Sequence, residues 1–364
     1  METQARPTGA PARDLFDPAP GLAYLDAATY GLPPRPTVAA LERALQRWQA
    51  GTADWVNEWD REGEPCRAHF ADLIGAEAGD VALVPTVSVG VGLVAASLPE
   101  GCEVVVPEEE FTSVLYPMLA AEGARGARVR QVPFASLADA IRPGTGLVAF
   151  SQTRSQSGES APLGEIVAAA ERVGARVFVD ATHAVPFVPV APHLAGIDYL
   201  VCHGYKHLLC PRGVGFLWVR PERQGELVPW FANWRAAVPA YARNYGGSLD
   251  DLASGAARFD VSLAWQAWAG ARPSLDLLVG WQRDGTLDAV WDLSRRLAAG
   301  LGLPAPTSTI VSAAVADAEG VERSLAEAGV RCAARGGRIR LAPHVWNTPE
   351  EIDRAVAAVG PFLG

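Results

Sequence analysis

The sequence predicts an α/β protein with a mostly parallel central sheet and a smaller α+β domain at its C-terminus. Short β-branched apolar runs alternate with helix-length segments from residue 80 to residue 219, as expected for right-handed βαβ units. The chain has 364 residues, which exceeds the roughly 250–300 residues that one hydrophobic core usually accommodates. We therefore expect a flexible tail over residues 1–18, a large domain over residues 19–284 and a small domain over residues 285–364.

Apolar periodicity predicts the individual elements in order along the chain. In the large domain, the predicted strands are residues 80–85, 103–107, 129–132, 146–151, 176–181, 198–202 and 214–219. The predicted helices there are residues 34–50, 62–74, 90–98, 113–122, 163–173 and 265–281. The small domain should contain a helix over residues 287–300, strands over residues 309–315, 330–334 and 338–342, and a final helix from Pro349.

The turn formed by Thr86, Val87 and Ser88 connects a predicted strand to a predicted helix. Free backbone N–H groups and the helix dipole at such a turn favour an anion, which makes it a candidate phosphate site. An ordinary Ser/Thr helix cap is the alternative interpretation.

Asp180 and Lys206 are the strongest candidates for chemistry. Asp180 ends the apolar run RVFVD, and Lys206 follows the next predicted strand in a loop. Ligands of open α/β sheets bind at the carboxyl ends of the strands, so the two side chains are expected to converge on one crevice. An amine and a carboxylate placed together suit pyridoxal phosphate, whose aldehyde reacts with a lysine and whose pyridine nitrogen requires an anion.

Composition excludes several other classes of protein. The formal net charge is −10, and no concentrated basic face for nucleic acid is visible. The five cysteines have no CxxC or zinc-ligand spacing, so neither a disulfide framework nor a structural metal is expected. The N-terminus lacks a continuous apolar segment, and no run is long enough to span a bilayer. We expect a cytoplasmic protein that binds neither metal, nucleic acid nor membrane.

Three stretches of sequence resemble one enzyme family. They are DATH at residues 180–183, DYLVCHGYKHLLCPRGVGFLWV at residues 198–219 and RIRLAPHVWNTPEEID at residues 338–353. Together they resemble the class V aminotransferases, which include cysteine desulfurases, isopenicillin N epimerases and kynureninases. The resemblance extends from Tyr24 to the final helix. It implies the fold type I of pyridoxal-phosphate-dependent transferases.

The resemblance implies roles for four residues around the cofactor. Lys206 would form the Schiff base and later move the Cα proton, and Asp180 would keep the pyridine nitrogen protonated. His183 occupies the position near the cofactor's phenolic oxygen. His203 is expected to reach the phosphate, together with the turn at residues 86–88.

Further positions of the family correspond to residues elsewhere in the chain. Phe111 matches the residue that stacks on the pyridine ring, although ordinary core packing is an alternative. Arg340 matches the arginine that binds the substrate carboxylate through its planar fork. Ser262 matches a hydroxyl that reaches the partner's phosphate across a homodimer interface, with helix capping as a compatible explanation. Independently of the resemblance, the aromatic side chain of Tyr30 is a candidate for lining the substrate pocket, with core packing or a dimer interface as the alternative.

Three departures from the family, and the position of one cysteine, bear on the reaction. Tyr205 replaces the histidine that often precedes the lysine, Cys202 replaces a common serine, and Ser155 stands where asparagine is frequent. Cysteine desulfurases need a mobile thiolate before the carboxylate-binding arginine. The only nearby cysteine is Cys332, which is expected to be buried in a strand. Sulfur transfer is therefore disfavoured.

These features predict a pyridoxal-phosphate enzyme that acts at the Cα of an amino acid through an aldimine, in the first instance an aminotransferase. A C–S lyase or an epimerase that acts on an amino-acid conjugate is the alternative, since these reactions begin from the same carbanion. A cysteine desulfurase is less favoured because Cys332 is expected to be a buried structural cysteine. A non-catalytic binding module is less favoured because Lys206, Asp180 and Arg340 are all present.

Overall fold

The computed structural model describes residues 12–241 and 244–363. In chain order its strands are β1 (Ala23–Tyr24), β2 (Val81–Val84), β3 (Glu103–Pro107), β4 (Arg128–Val132), β5 (Thr145–Ser151), β6 (Arg176–Asp180), β7 (Tyr199–His203), β8 (Gly215–Val219), β9 (Val311–Ala314), β10 (Val330–Arg331), β11 (Ala333–Arg335) and β12 (Arg338–Leu341). Its α-helices are α1 (Arg35–Ala50), α2 (Gly63–Ile74), α3 (Val87–Ala96), α4 (Thr112–Arg125), α5 (Leu137–Ala140), α6 (Leu163–Val173), α7 (Trp265–Asp284), α8 (Asp288–Gly300), α9 (Ala318–Glu327) and α10 (Pro349–Val359).

Seven strands form the central sheet in the order β2-β8-β7-β6-β5-β3-β4. The pairs from β7 to β4 are parallel, whereas β8 runs antiparallel to both of its neighbours. Within the sheet, Ser151 of β5 lies beside Asp180 of β6, which lies beside Val201 of β7. The prediction of an α/β fold with a mostly parallel sheet is confirmed.

The central strands are apolar on both faces because each face is covered by helices. Val177 and Val179 of β6 belong to one core, and Phe178 between them belongs to the core on the opposite face. Residues from α2, α6 and α7 complete the first core, and residues from α3 and α4 complete the second. Among the described residues, no helix has both the length and the apolar composition required to cross a membrane.

A second, antiparallel sheet has the order β11-β12-β9 and lies near the C-terminus. Strand β1 pairs in parallel with β10, and Ala23 and Leu25 share a hydrophobic core with residues of α8, α9 and α10. The N-terminal strand thus packs with the C-terminal part of the chain. The predicted large domain, residues 19–284, contains β1, and the predicted small domain contains β10. The pairing of these two strands was not part of the prediction.

Of the predicted flexible tail, residues 12–18 pack against the C-terminal part of the chain, and residues 1–11 lie outside the described residues. Phe16 is buried, and its ring centroid lies 5.0 Å from that of Trp346. Arg13 donates hydrogen bonds to the carbonyl of Trp346 at 2.8 Å and to Glu351 at 2.7 Å. This segment lacks a regular apolar period, so its ordering comes from tertiary contacts alone.

Two other details of the prediction differ from the structure. Helix α9 was not predicted, because only Val321 and Leu325 of its residues are buried and its apolar stripe is therefore short. The single strand predicted over residues 330–334 is two short strands, and they pair with different partners.

Candidate active site

A cavity of about 220 Å³ lies where β5, β6 and β7 end at the edge of the central sheet. Ser151, Asp180 and His203, the last residues of these strands, contribute to its wall. Parallel strands place such polar residues together at their carboxyl ends. The structure brings eight of the predicted site residues to this cavity: Thr86, Val87, Ser88, Phe111, Asp180, His183, His203 and Lys206.

Lys206 is buried in the cavity wall. Its Nζ atom lies 2.9 Å from Nε2 of His183 and 5.3 Å from the ring centroid of Phe111. Burial lowers the pKa of Lys206 to about 7, although the nearby charge of Asp180 opposes this shift. A large fraction of the amine is therefore neutral and nucleophilic near neutral pH.

Lys206 is also the only lysine in the sequence. The other positive side chains are arginines and histidines, which do not form stable imines with aldehydes. This signal was available in the sequence and singles out one side chain for carbonyl chemistry.

Asp180 is held by the turn that follows β6. Its Oδ1 accepts a hydrogen bond from the backbone N–H of Thr182 at 2.9 Å, and the Thr182 hydroxyl accepts one from the N–H of His203 at 3.0 Å. Burial raises the pKa of Asp180, while the bonds from Thr182 and the charge of Lys206 act in the opposite direction. A positively charged N–H group placed against this carboxyl would favour its ionised form.

The predicted anion site, residues 86–88, was expected to be a turn before a helix. In the structure these residues form the N-cap and the start of the first turn of α3. Thr86 is the N-cap of this helix, and its hydroxyl accepts a hydrogen bond from the N–H of Val89 at 3.4 Å. The Ser88 hydroxyl lies 3.1 Å from that of Thr86. Capping and anion binding coexist here, because one cap leaves other N–H groups of the first turn free.

Arg212 also lines this cavity and was not predicted. Its guanidinium carbon lies 4.9 Å from the ring centroid of Tyr205, close enough for a cation–π contact. The residue lies in the CPRG segment after Lys206. Its charge near the start of α3 adds to the attraction of that end of the cavity for an anion.

His203 is buried, and neither of its ring nitrogens has a hydrogen-bond partner among the described residues. Burial lowers its pKa to about 3, with the charges of Lys206 and Arg212 as further causes. Its ring meets that of Tyr205 edge-on, with centroids 4.3 Å apart. Buried polar atoms are normally hydrogen-bonded, so these nitrogens are available to a ligand in the cavity.

Phe111 directly precedes α4 and leaves 44% of its surface exposed, although it is aromatic. An exposed ring in a cavity wall suits stacking against a flat ligand. An amine, a buried carboxyl, an anion-binding helix end and a free aromatic face are the groups that pyridoxal phosphate requires. The residues around the cavity therefore fit the predicted cofactor.

Arg340 lies on β12, is buried, and connects three segments. Its Nη1 donates to the carbonyl and hydroxyl oxygens of Ser155 at 2.7 and 3.1 Å, and its Nη2 donates to the Thr29 hydroxyl at 2.7 Å. Asp26 lies 3.5 Å from the same guanidinium. Ser155 itself lines a neighbouring cavity that shares Phe111 with the first.

Besides Ser155 and Arg340, two further predicted residues are absent from the wall of the Lys206 cavity. Tyr30 is half-exposed and lines a separate pocket together with Tyr205 and Arg212. Ser262 is exposed in the segment before α7. The proposed contact of Ser262 with a partner subunit stays a prediction.

Cys332 lies between β10 and β11 and is buried. Burial raises its pKa to about 12, so the thiol stays protonated near neutral pH. Its burial agrees with the expectation from the sequence, but it lies between two short strands and not within one. It lacks the exposure of a mobile nucleophile.

Comparison with known proteins places the chain among related enzymes. The family model for aminotransferase class V matches residues 23–233. An uncharacterized aminotransferase, YcbU of Bacillus subtilis, is 30% identical over 80% of this chain and 82% of its own length. A probable cysteine desulfurase of Aeropyrum pernix is 31% identical over 63% of this chain, and the match spans only 59% of that relative.

The fold is also that of a solved enzyme. A mutant of C-DES with glycine covalently linked to its pyridoxal-phosphate cofactor has a TM-score of 0.85 to this structure and 23% sequence identity, and the match covers 96% of this chain and 99% of C-DES. The family model spans more than half of the 364 residues. The chain therefore belongs to the aminotransferase class V family.

Proposed function

We propose that the chain is a pyridoxal-phosphate-dependent aminotransferase that acts at the Cα of an amino acid. The observation that carries the proposal is the shared cavity of Lys206 and Asp180, in which the sole lysine is buried and has a pKa of about 7. Membership of the class V family and the 30% identity to an uncharacterized aminotransferase support it.

Each side chain has a task in this reaction. When bound, the cofactor supplies an aldehyde for amines and a ring that withdraws electrons from Cα. Lys206 holds and returns the proton at Cα, while Asp180 keeps the pyridine nitrogen charged. Phe111 orients the ring by stacking, and the first turn of α3 binds the phosphate.

Arg340 binds the carboxylate of the substrate in this proposal. A guanidinium offers five N–H donors, of which the contacts to Ser155 and Thr29 use only part, and its Nε has no partner among the described residues. His183 lies within hydrogen-bonding distance of the lysine amine and orients it.

The proposal is tested by adding pyridoxal phosphate to the purified protein. We expect a visible absorbance band, and reduction with borohydride followed by peptide mapping should place the cofactor on Lys206. Lys206→Ala should lack both signals. A colourless wild-type protein would contradict the proposal and favour a binding module without catalysis.

Products distinguish the reactions that start at Cα. An aminotransferase converts amino acids to keto acids and retains pyridoxamine phosphate. A C–S lyase releases thiol and pyruvate from cysteine conjugates, and an epimerase inverts stereochemistry without either product. Formation of thiol and pyruvate, with no keto acid from other amino acids, would replace the aminotransferase assignment.

We also propose that the protein is a homodimer with Ser262 close to the partner's cofactor. Large apolar side chains such as Trp48 and Trp230 are exposed in the single chain, which supports a further contact surface. Light scattering of the purified protein should give twice the mass of one 38.4 kDa chain. A monomer with full cofactor affinity would contradict the proposal.

A further inference from the structure

We propose that the substrate carries an anionic group on its side chain and that Arg335 binds this group in a cavity beside the reacting centre. The inference rests on the proposed function, since it concerns the part of the amino acid that extends beyond Cα.

The second cavity adjoins the cofactor cavity and has a volume of about 290 Å³. The two share Phe111 and Thr112 in their walls. Ser155 lines the second cavity and accepts hydrogen bonds from Arg340. A substrate whose carboxylate is bound by Arg340 therefore has this cavity as the adjoining space for its side chain, and its volume approaches the range of small-molecule sites.

Two arginines, Arg154 and Arg335, line the second cavity, and they differ in their carboxylate partners among the described residues. Arg154 forms ion pairs with Glu109 at 2.7 Å and with Glu159 at 3.6 Å, which neutralise it. Arg335 is exposed and donates to the carbonyl of Ala334 at 2.8 Å. Among the residues that the structure describes, no carboxylate forms an ion pair with Arg335.

The remaining acid of the cavity, Glu110, is directed toward the backbone. Its carboxyl oxygens accept hydrogen bonds from the N–H and the hydroxyl of Ser151 and from the N–H of Phe111, at 2.9, 2.5 and 2.7 Å. Burial raises the pKa of Glu110, whereas its hydrogen bonds from Ser151 and Phe111 act in the opposite direction. The charge of Arg335, in contrast, is among the causes that lower the pKa of both Lys206 and Arg340, so it acts at the reacting centre.

A tight turn holds Arg335 at the cavity. Arg335 is the last residue of β11 and pairs with Arg338, across a turn formed by Gly336 and Gly337 with φ angles of 53° and 72°. Both angles lie in the left-handed region that favours glycine. The carbonyl of Gly336 accepts a hydrogen bond from Gln156 at 3.4 Å, which attaches the turn to the cavity wall.

The arginine across the turn has a different task. Arg338 donates hydrogen bonds to the hydroxyl and the carbonyl of Ser312 at 2.9 and 2.8 Å. Its side chain therefore connects β12 to β9 within the three-stranded sheet. Among the described residues, Arg335 bonds only to the carbonyl of its neighbour Ala334, so it is the arginine of this hairpin that we assign to a ligand. The ligand that matches a guanidinium is a carboxylate or another oxyanion.

The test compares ligands of equal size and different charge on the protein loaded with pyridoxal phosphate. Titration with L-glutamate and with L-glutamine gives the concentration of each that half-saturates the change in visible absorbance, and L-aspartate with L-asparagine covers a shorter side chain. We expect the acid of at least one pair to bind roughly ten-fold tighter than its amide, as one charge-assisted hydrogen bond provides.

Arg335→Gln should remove this preference for the acid, and Arg335→Lys should keep part of it. The control is Arg331→Gln, which should keep all of the preference. Arg331 is an exposed arginine on β10, the strand that precedes β11 in the chain. The cofactor absorbance band reports that each variant is folded. Equal half-saturation by acid and amide in the wild-type protein, or a preference that survives Arg335→Gln, would overturn the inference alone. Failure of every amino acid, neutral ones included, to change the absorbance would overturn the proposed function as well.

Discussion

At the scale of single residues, the proposed chemistry depends on the burial of one amine. The Lys206 pKa is about 7 in the folded protein, whereas the ordinary value is 10.5, because burial disfavours the charged form. The unfolded chain therefore binds more protons than the folded chain between these two pH values. It follows that burial of Lys206 destabilises the cofactor-free protein at low pH, and that this penalty decreases as the pH rises across the interval.

This pKa predicts the pH dependence of cofactor attachment. Only the neutral amine attacks an aldehyde, so the rate at which pyridoxal phosphate is trapped on Lys206 by borohydride should rise with pH and reach half its maximum near pH 7. Peptide mapping separates this signal from the α-amino group. A half-maximum near pH 10 would mean that the lysine is not in the desolvated site.

Two buried aspartates at opposite ends of neighbouring strands offer a matched comparison. Asp180 ends β6 in the cavity, whereas Asp198 directly precedes β7 and accepts hydrogen bonds from Val177 and Arg223, both at 2.8 Å. Asp180→Asn should lower turnover about 10²-fold or more in a folded protein, because the charge at the cofactor is lost. Asp198→Asn should instead cost about 1–3 kcal/mol of unfolding free energy and leave turnover per folded molecule unchanged. Similar turnover for both variants would contradict the role of Asp180.

At the scale of elements, the site depends on the contact between the segment after β1 and the loop that carries Lys206. The N–H of Gly31 donates to the carbonyl of Tyr205 at 2.9 Å. A Cβ atom at Gly31 would overlap the carbonyl oxygen of Lys206 and lie 2.6 Å from Cδ2 of Leu209. The approach of these two backbone segments therefore requires glycine at this position.

Gly31→Ala should destabilise the protein by about 1–3 kcal/mol and weaken cofactor binding, since the Lys206 loop must move. The control is Gly79→Ala, because no atom lies within 4 Å of a Cβ at Gly79. Urea unfolding and the absorbance of bound cofactor measure the two effects. Equal behaviour of the two variants would show that the loop tolerates displacement.

At the scale of the whole molecule, the two ends of the chain stabilise each other. Phe16 lies against Trp346, with Trp281 of α7 at a centroid distance of 6.3 Å. Phe16→Ala should cost about 3–5 kcal/mol of unfolding free energy, as expected for a buried aromatic residue. Phe362→Ala is the control, because Phe362 is 41% exposed and should change the stability by only about 0.5 kcal/mol. Chemical denaturation would contradict the prediction if both variants lost the same free energy.

The sequence was informative where one local pattern has one physical cause. Valine-rich runs predicted the central strands because a sheet covered on both faces admits few polar residues. Asp180 and Lys206 were found because a carboxyl end of a strand is where such a sheet binds ligands. Segments that mix polar and apolar residues without a clear period do not indicate a helix or a strand. Helix α9 is such a segment, and it was not predicted from the sequence.

Local sequence alone therefore determined the α/β class, the order of the central strands along the chain and the candidate residues Lys206 and Asp180. Tertiary structure decided the pairing of β1 with β10, the ordering of residues 12–18 and the contacts of Arg340 with Ser155 and Thr29. It also decided that Arg335 lines the cavity beside the cofactor site. These contacts join residues far apart in the chain, and side-chain periodicity reports only which face of an element is buried, not which distant segment covers it.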